Sequence, residues 1–152
     1  MKLLVLAVGK PKKKWVRQAC EEYLVRLRGY VSLGFENVPA AKGSPSQSSE
    51  REGKSILGYV NSGDSMILLD EKGESLTSRK FSRKLMDLLD CSRGRVLFVV
   101  GGAYGVSSEV RARADYTMRL SDMTLPHELA LVLLLEQAYR AYAIALGHPY
   151  HH

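Results

Sequence analysis

The stretch Val96-Leu-Phe-Val-Val-Gly-Gly-Ala-Tyr-Gly105 decides the fold class of this chain. Its first five residues are all apolar and mostly β-branched, which predicts a strand over Val96–Val100 that is buried on both faces. The glycines that follow allow a tight turn, and Ser107 or Ser108 can cap a helix that runs through Ala114. A buried strand followed by a turn and a helix is typical of α/β proteins with a parallel sheet.

The same alternation of strands and helices extends over the rest of the chain. Further strands are predicted at Leu3–Val8, Val31–Phe35, Ser65–Asp70 and Tyr116–Leu120. Further helices are predicted at Trp15–Leu27, at Glu50–Asn61, from the caps Thr77 and Ser78 to Leu89, and at Pro126–Leu146, which Gly147 terminates. Ala40–Ser49 is predicted to be a loop, and turn residues surround Gly73. We therefore predict one domain over residues 1–152, with a mainly parallel sheet flanked by helices.

The composition is that of one globular domain, with 152 residues of which 45% are hydrophobic and 25% charged. This excludes a disordered chain, a collagen-like repeat and a disulfide scaffold.

Cys20 and Cys91 lack partners at metal-ligand spacing, so we expect two reduced packing residues and no metal site. The apolar runs Leu3–Val8 and Leu129–Leu135 are too short for a signal peptide or a membrane span, which predicts a soluble, cytoplasmic protein with no membrane partner.

The positive charge is concentrated in the first two thirds of the chain. Residues 1–98 hold 18 basic and 11 acidic side chains, whereas residues 99–152 hold 4 and 5. A basic body joined to an apolar C-terminal segment predicts a polyanionic partner and a buried surface. Two clusters could contact RNA phosphates, although each alone is more simply explained as solvated surface charge. They are Lys10–Lys14 with Arg17, and Arg79, Lys80, Arg83 and Lys84.

Three candidate segments end or follow predicted strands and therefore meet at the carboxyl edge of the sheet, where open parallel sheets bind ligands. They are Leu69-Asp70, Gly101–Gly105 and Leu120–Leu125, and together they would form a cleft of nucleotide size. The glycine loop is equally explained as a tight turn, because it matches neither G-x-G-x-x-G nor a phosphate-binding loop. No G-x-S-x-G motif and no metal-ligand cluster occurs, which argues against hydrolases and metalloenzymes.

The predicted final helix is apolar around nearly its whole circumference, which predicts a homodimer interface. Glu136 and Arg140 are spaced i, i+4, and a surface ion pair and a functional role are equally good explanations.

His127, His148, Tyr150 and His151 flank this helix, and histidine can move protons near neutral pH. The terminal His152 is expected to be solvent-exposed.

Several of these segments together resemble the bacterial large-subunit ribosomal RNA pseudouridine N3-methyltransferases of the SPOUT superfamily. The most specific are Val99-Val-Gly-Gly-Ala-Tyr-Gly105, Leu120-Ser-Asp-Met-Thr-Leu-Pro-His127 and Glu136-Gln-Ala-Tyr-Arg-Ala141. The resemblance extends from the N-terminal strand to the tail His148-Pro-Tyr-His151. It implies an α/β domain with a C-terminal trefoil knot, a homodimer, and S-adenosylmethionine (S-adenosyl-L-methionine) as cofactor. The implied substrate is a pseudouridine in the 23S rRNA of the assembled ribosome.

The resemblance also implies roles for particular residues. The implied cofactor contacts are Leu69, Gly101, Leu120, Ser121, Asp122, Met123, Thr124 and Leu125. Our hypothesis for catalysis is that Tyr150 and His151 position or deprotonate the target base, that Arg140 orients the RNA or the tail, and that His127 supports the cofactor loop.

The chain departs from the family pattern at two positions. Leu131 stands where the family commonly carries an arginine, and His152 ends the chain where a lysine or arginine is usual. Two alternatives are considered, a SPOUT methyltransferase acting on tRNA and a non-catalytic ribosome-binding module. The tail from His148 to His151 argues against the first, and the intact segment Ser121–Leu125 argues against the second.

Overall fold

Strands and helices alternate strictly along the computed structural model, which describes residues 1–152. The elements are β1 (Leu3–Val8), α1 (Lys14–Arg28), β2 (Leu33–Val38), α2 (Pro45–Gly58), β3 (Ser65–Ser75), α3 (Ser78–Cys91), β4 (Val96–Val100), α4 (Ser108–Arg113), β5 (Tyr116–Arg119) and α5 (His127–Ala145). The two strands that are continuously apolar in sequence, β1 and β4, have the predicted bounds.

All five strands form one sheet in the order β2-β1-β4-β3-β5, and every neighbouring pair is parallel. Strands β1 and β4 lie inside the sheet and are buried along their whole length, as expected for strands covered on both faces. The predicted fold class, a parallel sheet flanked by helices, is confirmed. The trefoil knot that the family resemblance implies stays a prediction.

The helices cover the two faces of the sheet unequally. Helices α1, α3 and α5 pack on the larger core, to which they contribute Leu24, Leu85 and Leu134. Helices α2 and α4 pack on the other face through Ile56 and Val110. Each such buried side chain stabilises the fold by about 1.5–3 kcal/mol relative to leaving it in water. No helix is long and apolar enough to cross a membrane.

Two expectations about single segments are wrong. Residues 45–49 were expected in a loop but form the start of α2, because Ser44 caps this helix. The Ser44 hydroxyl accepts a hydrogen bond from the Gln47 amide at 3.3 Å, and the Gln47 side chain accepts one from the Ser44 amide at 3.4 Å. The second concerns Cys91, which is exposed, so that only Cys20 is a buried packing residue.

The turn expected around Gly73 is an irregularity inside a longer strand. Strand β3 continues to Ser75, and both Leu69 and Glu74 pair with Met118 of β5, so the residues between them bulge out of the ladder. A Cβ atom on Gly73 would lie 2.5 Å from the Met118 backbone. Only glycine therefore allows the two strands to approach this closely beside the bulge.

Candidate functional site

A cavity of about 720 Å³ opens between the bulge of β3 and the ends of β4 and β5. We call it the carboxyl-edge cavity. It is lined by residues 69–72, 100–106, 119–121, 123–127, Arg111 and Ala130. The three segments that the sequence placed at one edge of the sheet therefore do border a common space, of the size usual for small-molecule sites, although Leu69-Asp70 lies inside β3 and does not end it.

The loop after β5, which lines this cavity, makes no hydrogen bonds between backbone groups. In residues 120–125 no amide or carbonyl makes a backbone–backbone hydrogen bond, and the Met123 amide donates to the Ser121 hydroxyl at 2.9 Å. Backbone polar groups require partners when they are removed from water. A ligand in the carboxyl-edge cavity can therefore be bound by the backbone of this loop.

The cofactor contacts implied by the resemblance fall almost entirely on the cavity wall. Seven of the eight residues line it: Leu69, Gly101, Leu120, Ser121, Met123, Thr124 and Leu125. Asp122 belongs to the same loop but does not line the cavity, because its carboxylate accepts a hydrogen bond from Arg119 Nε at 2.8 Å and its side chain is 78% exposed.

Charged side chains surround the rim of the cavity. Arg111 forms an ion pair with Asp70, and Arg119 donates a hydrogen bond to the Gly73 carbonyl at 2.8 Å. These contacts connect α4 and β5 to the bulge of β3. They also place two guanidinium groups beside the cavity, whose charges Asp70 and Asp122 already balance but whose remaining N–H groups could donate to a ligand carboxylate. No local sequence pattern indicates Arg111, because its proximity to Asp70 depends on the tertiary fold.

Of the four proposed catalytic residues, only His127 lines the cavity. It is the first residue of α5, and its Nδ1 atom is buried with no hydrogen-bond partner. The buried Nδ1 atom thus lacks the hydrogen bond that buried polar atoms normally make, although the residue lies at the cavity wall.

The other three proposed catalytic residues gather around Glu136. We call Glu136, Arg140, Tyr150 and His151 the tail cluster. Glu136 Oε1 accepts hydrogen bonds from Arg140 Nε at 2.9 Å and from the Tyr150 hydroxyl at 3.1 Å. The Nη1 atom of Arg140 lies 3.4 Å from His151 Nδ1, and its guanidinium lies over the Tyr150 ring. The ion pair between Glu136 and Arg140 therefore also anchors the C-terminal tail, which the i, i+4 spacing alone did not reveal.

The electrostatics of the tail cluster keep both Tyr150 and Arg140 protonated. Burial, a hydrogen bond with Tyr23 and the charge of Glu136 raise the pKa of Tyr150 well above its usual range. The Glu136 carboxylate likewise raises the pKa of Arg140. Tyr150 is thus a neutral phenol at physiological pH and offers a hydroxyl group rather than a phenolate.

The proposed catalytic residues are divided between two places on α5. His127 and Arg140 are thirteen residues apart on one helix, which corresponds to about 20 Å along its axis. No residue of the tail cluster lines the carboxyl-edge cavity of its own chain. The structure thus brings together Arg140, Tyr150 and His151 but keeps them apart from His127.

Three further residues of the sequence pattern, Leu131, His148 and His152, lie outside both the carboxyl-edge cavity and the tail cluster. Leu131, at the position of the family's usual arginine, is fully buried in the larger core. His148 and His152 are exposed. No group of three or more His, Cys, Asp or Glu side chains is arranged to hold a metal ion.

Comparison with known proteins identifies the family. The sequence model of the family described as "Predicted SPOUT methyltransferase" matches residues 1–151. A protein of Geotalea daltonii named "Ribosomal RNA large subunit methyltransferase H" is 40% identical over 153 residues, covering 100% of both chains. Proteins of the same name are 39% identical in Clostridium kluyveri, covering 99% of each chain, and 40% identical in Geobacter sulfurreducens, covering 100% of each.

A solved structure supports the fold independently. A probable methylase family protein from Haemophilus influenzae superposes with a TM-score of 0.58 at 11% sequence identity, over 95% of this chain and 66% of that one. The parallel sheet, the cavity at its carboxyl edge and the full-length sequence matches agree with one another. The chain belongs to the SPOUT methyltransferase family, among the relatives named ribosomal RNA large subunit methyltransferase H.

Proposed function

We propose that this protein, a single SPOUT domain acting as a homodimer in the cytoplasm, transfers a methyl group from S-adenosylmethionine to N3 of a pseudouridine in the 23S rRNA of assembled ribosomes. The observation that carries the proposal is the carboxyl-edge cavity, formed by the loops that the family resemblance assigns to the cofactor. Full-length relatives named as ribosomal RNA large subunit methyltransferases support the class of substrate.

The residues of the cavity fit S-adenosylmethionine. The volume of about 720 Å³ suits a ligand of this size. The backbone groups of residues 120–125 that make no backbone hydrogen bond can bind polar atoms of the cofactor, and Arg111 or Arg119 can donate hydrogen bonds to its carboxylate. The bound cofactor would supply a methyl group already activated by its positive sulfur, so the task of the protein is to align the target nitrogen and remove its proton.

The tail cluster is proposed to handle the base and its proton. An imidazole is the side chain best suited to accept a proton near neutral pH, so His151 is the proposed acceptor. Tyr150 remains protonated and would position the base through its hydroxyl group. Glu136 holds Arg140 and Tyr150 in place, and His127 would support the cofactor loop from the start of α5.

The homodimer is part of the proposal because cavity and tail cluster lie at different points along α5. Leu129, Val132, Leu133 and Ile144 on this helix are apolar and only partly buried, so a second copy could cover them. A two-fold contact through α5 with the axis perpendicular to the helix makes the two helices antiparallel. The tail cluster of one copy would then approach the cavity of the other.

The test is transfer of labelled methyl groups to purified ribosomes that lack the modification, with naked 23S rRNA and tRNA assayed in parallel. We expect label in the 23S rRNA of ribosomes, mapping to a pseudouridine, and little in naked rRNA. Label in tRNA would contradict the proposed substrate. Cofactor binding with no transfer to any RNA would contradict the proposed activity and support a binding module.

A further inference from the structure

One exposed surface beside the carboxyl-edge cavity is not used by the proposed mechanism. It consists of Lys12, Lys13, Lys14, Trp15 and Arg17, and we call it the Trp15 surface. All five residues are exposed, and the Trp15 side chain leaves about half of its area, 51%, in contact with water. An exposed tryptophan among four cations is a combination of stacking and charge that suits nucleic acids.

The charges of this surface are only partly compensated within the chain, since the single carboxylate that contacts it, that of Glu128, accepts a hydrogen bond from a backbone amide. None of its four cations forms an ion pair with a carboxylate. The first turn of α1 holds no acidic residue, and the two glutamates further along this helix pair with Arg26 and Arg28. Like charges held close together and an exposed indole are both unfavourable in the free protein. A polyanion that also carries aromatic bases relieves both.

The backbone of the Trp15 surface is fixed rather than loose. The Arg17 guanidinium donates hydrogen bonds to the carbonyls of Pro11 and Lys12, at 3.2 and 2.5 Å. The Lys12 amide donates to Glu128 Oε1 at 2.6 Å. Glu128 directly follows His127, which lines the cavity. The Trp15 surface is thereby held at a set position relative to the reaction site.

We propose that the Trp15 surface binds the substrate RNA beside the carboxyl-edge cavity, with the indole of Trp15 stacked on an unpaired base and the lysines paired with phosphates. The inference rests on the proposed function, because it takes RNA to be the substrate. A second copy of the chain is a poorer occupant, since a two-fold contact here would bring four cations against four cations. The basic cluster on α3 also lacks carboxylate partners, but the aromatic ring beside it, that of Tyr116, is only partly exposed and is already covered by Lys84.

The first experiment measures binding of the full chain to ribosomes lacking the modification by co-sedimentation, separately from methyl transfer. We expect Trp15→Ala to bind roughly 5- to 100-fold more weakly, because stacking of a base contributes an equivalent free energy. Trp15→Phe should retain most of the affinity. The matched control is Tyr59→Ala, an exposed aromatic residue that ends α2 on the opposite face of the sheet.

The second experiment tests the charges through the salt dependence of binding. The double variant Lys13→Gln/Lys14→Gln should lower the slope of log K against log salt by about 1 to 2, as expected for one or two lost phosphate contacts. Lys54→Gln, an exposed lysine on α2, should leave the slope unchanged. All variants are expected to bind S-adenosylmethionine and to form dimers like the parent protein.

Three outcomes would overturn the inference: unchanged ribosome affinity and KM in Trp15→Ala, an unchanged salt slope in the double lysine variant, or loss of the dimer in Trp15→Ala. The last would assign the surface to a second copy of the chain. Failure of the proposed function is distinguishable, because it would appear as a parent protein that binds ribosomes through Trp15 but methylates none of them.

Discussion

The carboxyl-edge cavity and the tail cluster differ in what holds them together. The cavity is built from the bulge inside β3 and from the two loops that begin where β4 and β5 end, so the sheet fixes their relative positions. The tail cluster is held by side chains, with Glu136 as the common acceptor for Arg140 and Tyr150. The cavity should therefore be rigid, whereas the tail can be released when a few hydrogen bonds break.

This difference suits the two proposed tasks. A cofactor site gains affinity from being preorganised, because no ordering entropy is lost on binding. A tail that handles the RNA base must admit a large substrate and then close on it. The comparison predicts that variants of the tail cluster affect turnover with the cavity intact, and that variants of the sheet edge affect both.

The largest effect is expected at the proton acceptor. His151→Ala should lower kcat by about 100- to 10,000-fold, the usual contribution of a general base, and leave the affinity for S-adenosylmethionine unchanged. Single-turnover methyl transfer and calorimetric cofactor binding measure the two quantities. Tyr150→Phe removes only a positioning hydroxyl and should cost less. An unchanged rate in both variants would remove the tail from the mechanism.

His151→Ala also tests whether the tail of one subunit completes the cavity of the other subunit. Ser121→Phe places a bulky ring in the cavity wall and should abolish cofactor binding with the tail intact. Differently tagged Ser121→Phe and His151→Ala chains, co-expressed and purified as heterodimers, carry one intact cavity and one intact tail on different subunits. Recovery of up to about half of the parent activity per heterodimer would support sharing across the two-fold axis. Complete inactivity would place tail and cavity of one chain in the same site.

A smaller effect, which extends to both fold stability and cofactor affinity, is expected at Gly73 beside the carboxyl-edge cavity. Gly73→Ala places a methyl group against the Met118 backbone and should destabilise the fold by about 3 kcal/mol. Because the bulge beside Gly73 lines the cavity, cofactor affinity should fall as well. Gly58→Ala is the control, since a Cβ there meets no atom within 4 Å. Urea unfolding and calorimetry report the two effects, and normal cofactor affinity in Gly73→Ala would show that the bulge does not shape the cavity.

The sequence predicted the cavity better than the tail cluster, and the reason is physical. Strands such as Val96–Val100 are buried on both faces, so their bounds follow from a continuous apolar run, and parallel pairing then brings their ends together. The bulge before Glu74 depends on how β5 meets β3, and the contact of Tyr150 with Glu136 depends on how the tail folds back on α5. Neither is encoded in a local pattern. The capping box at Ser44 is local and could have been recognised.

The smallest effect, on the free energy of unfolding alone, is expected at the amino edge of the sheet, away from the carboxyl-edge cavity and the tail cluster. Asp64 is buried, with its side chain 1% exposed, and its carboxylate accepts hydrogen bonds from the Arg95 guanidinium and from the amides of Asn61 and Arg95. Burial alone would raise the pKa of Asp64, but these hydrogen bonds and the charge of Arg95 lower it to about 2. A folded-state pKa below the unfolded value of about 3.9 means that the ionised form stabilises the fold.

This stabilisation of about 2 kcal/mol should be fully present above pH 4 and disappear as the pH falls toward 2. Asp64→Asn should remove it, so that the free energy of unfolding of the variant changes less between pH 4 and 2 than that of the parent. Methyl transfer at neutral pH should be unchanged, because Asp64 contacts neither the carboxyl-edge cavity nor the tail cluster. A loss of activity that exceeds the loss of folded protein would contradict this expectation. It would mean that the amino edge of the sheet also controls the position of the cofactor loops. The rigidity of the cavity would then depend on the whole sheet.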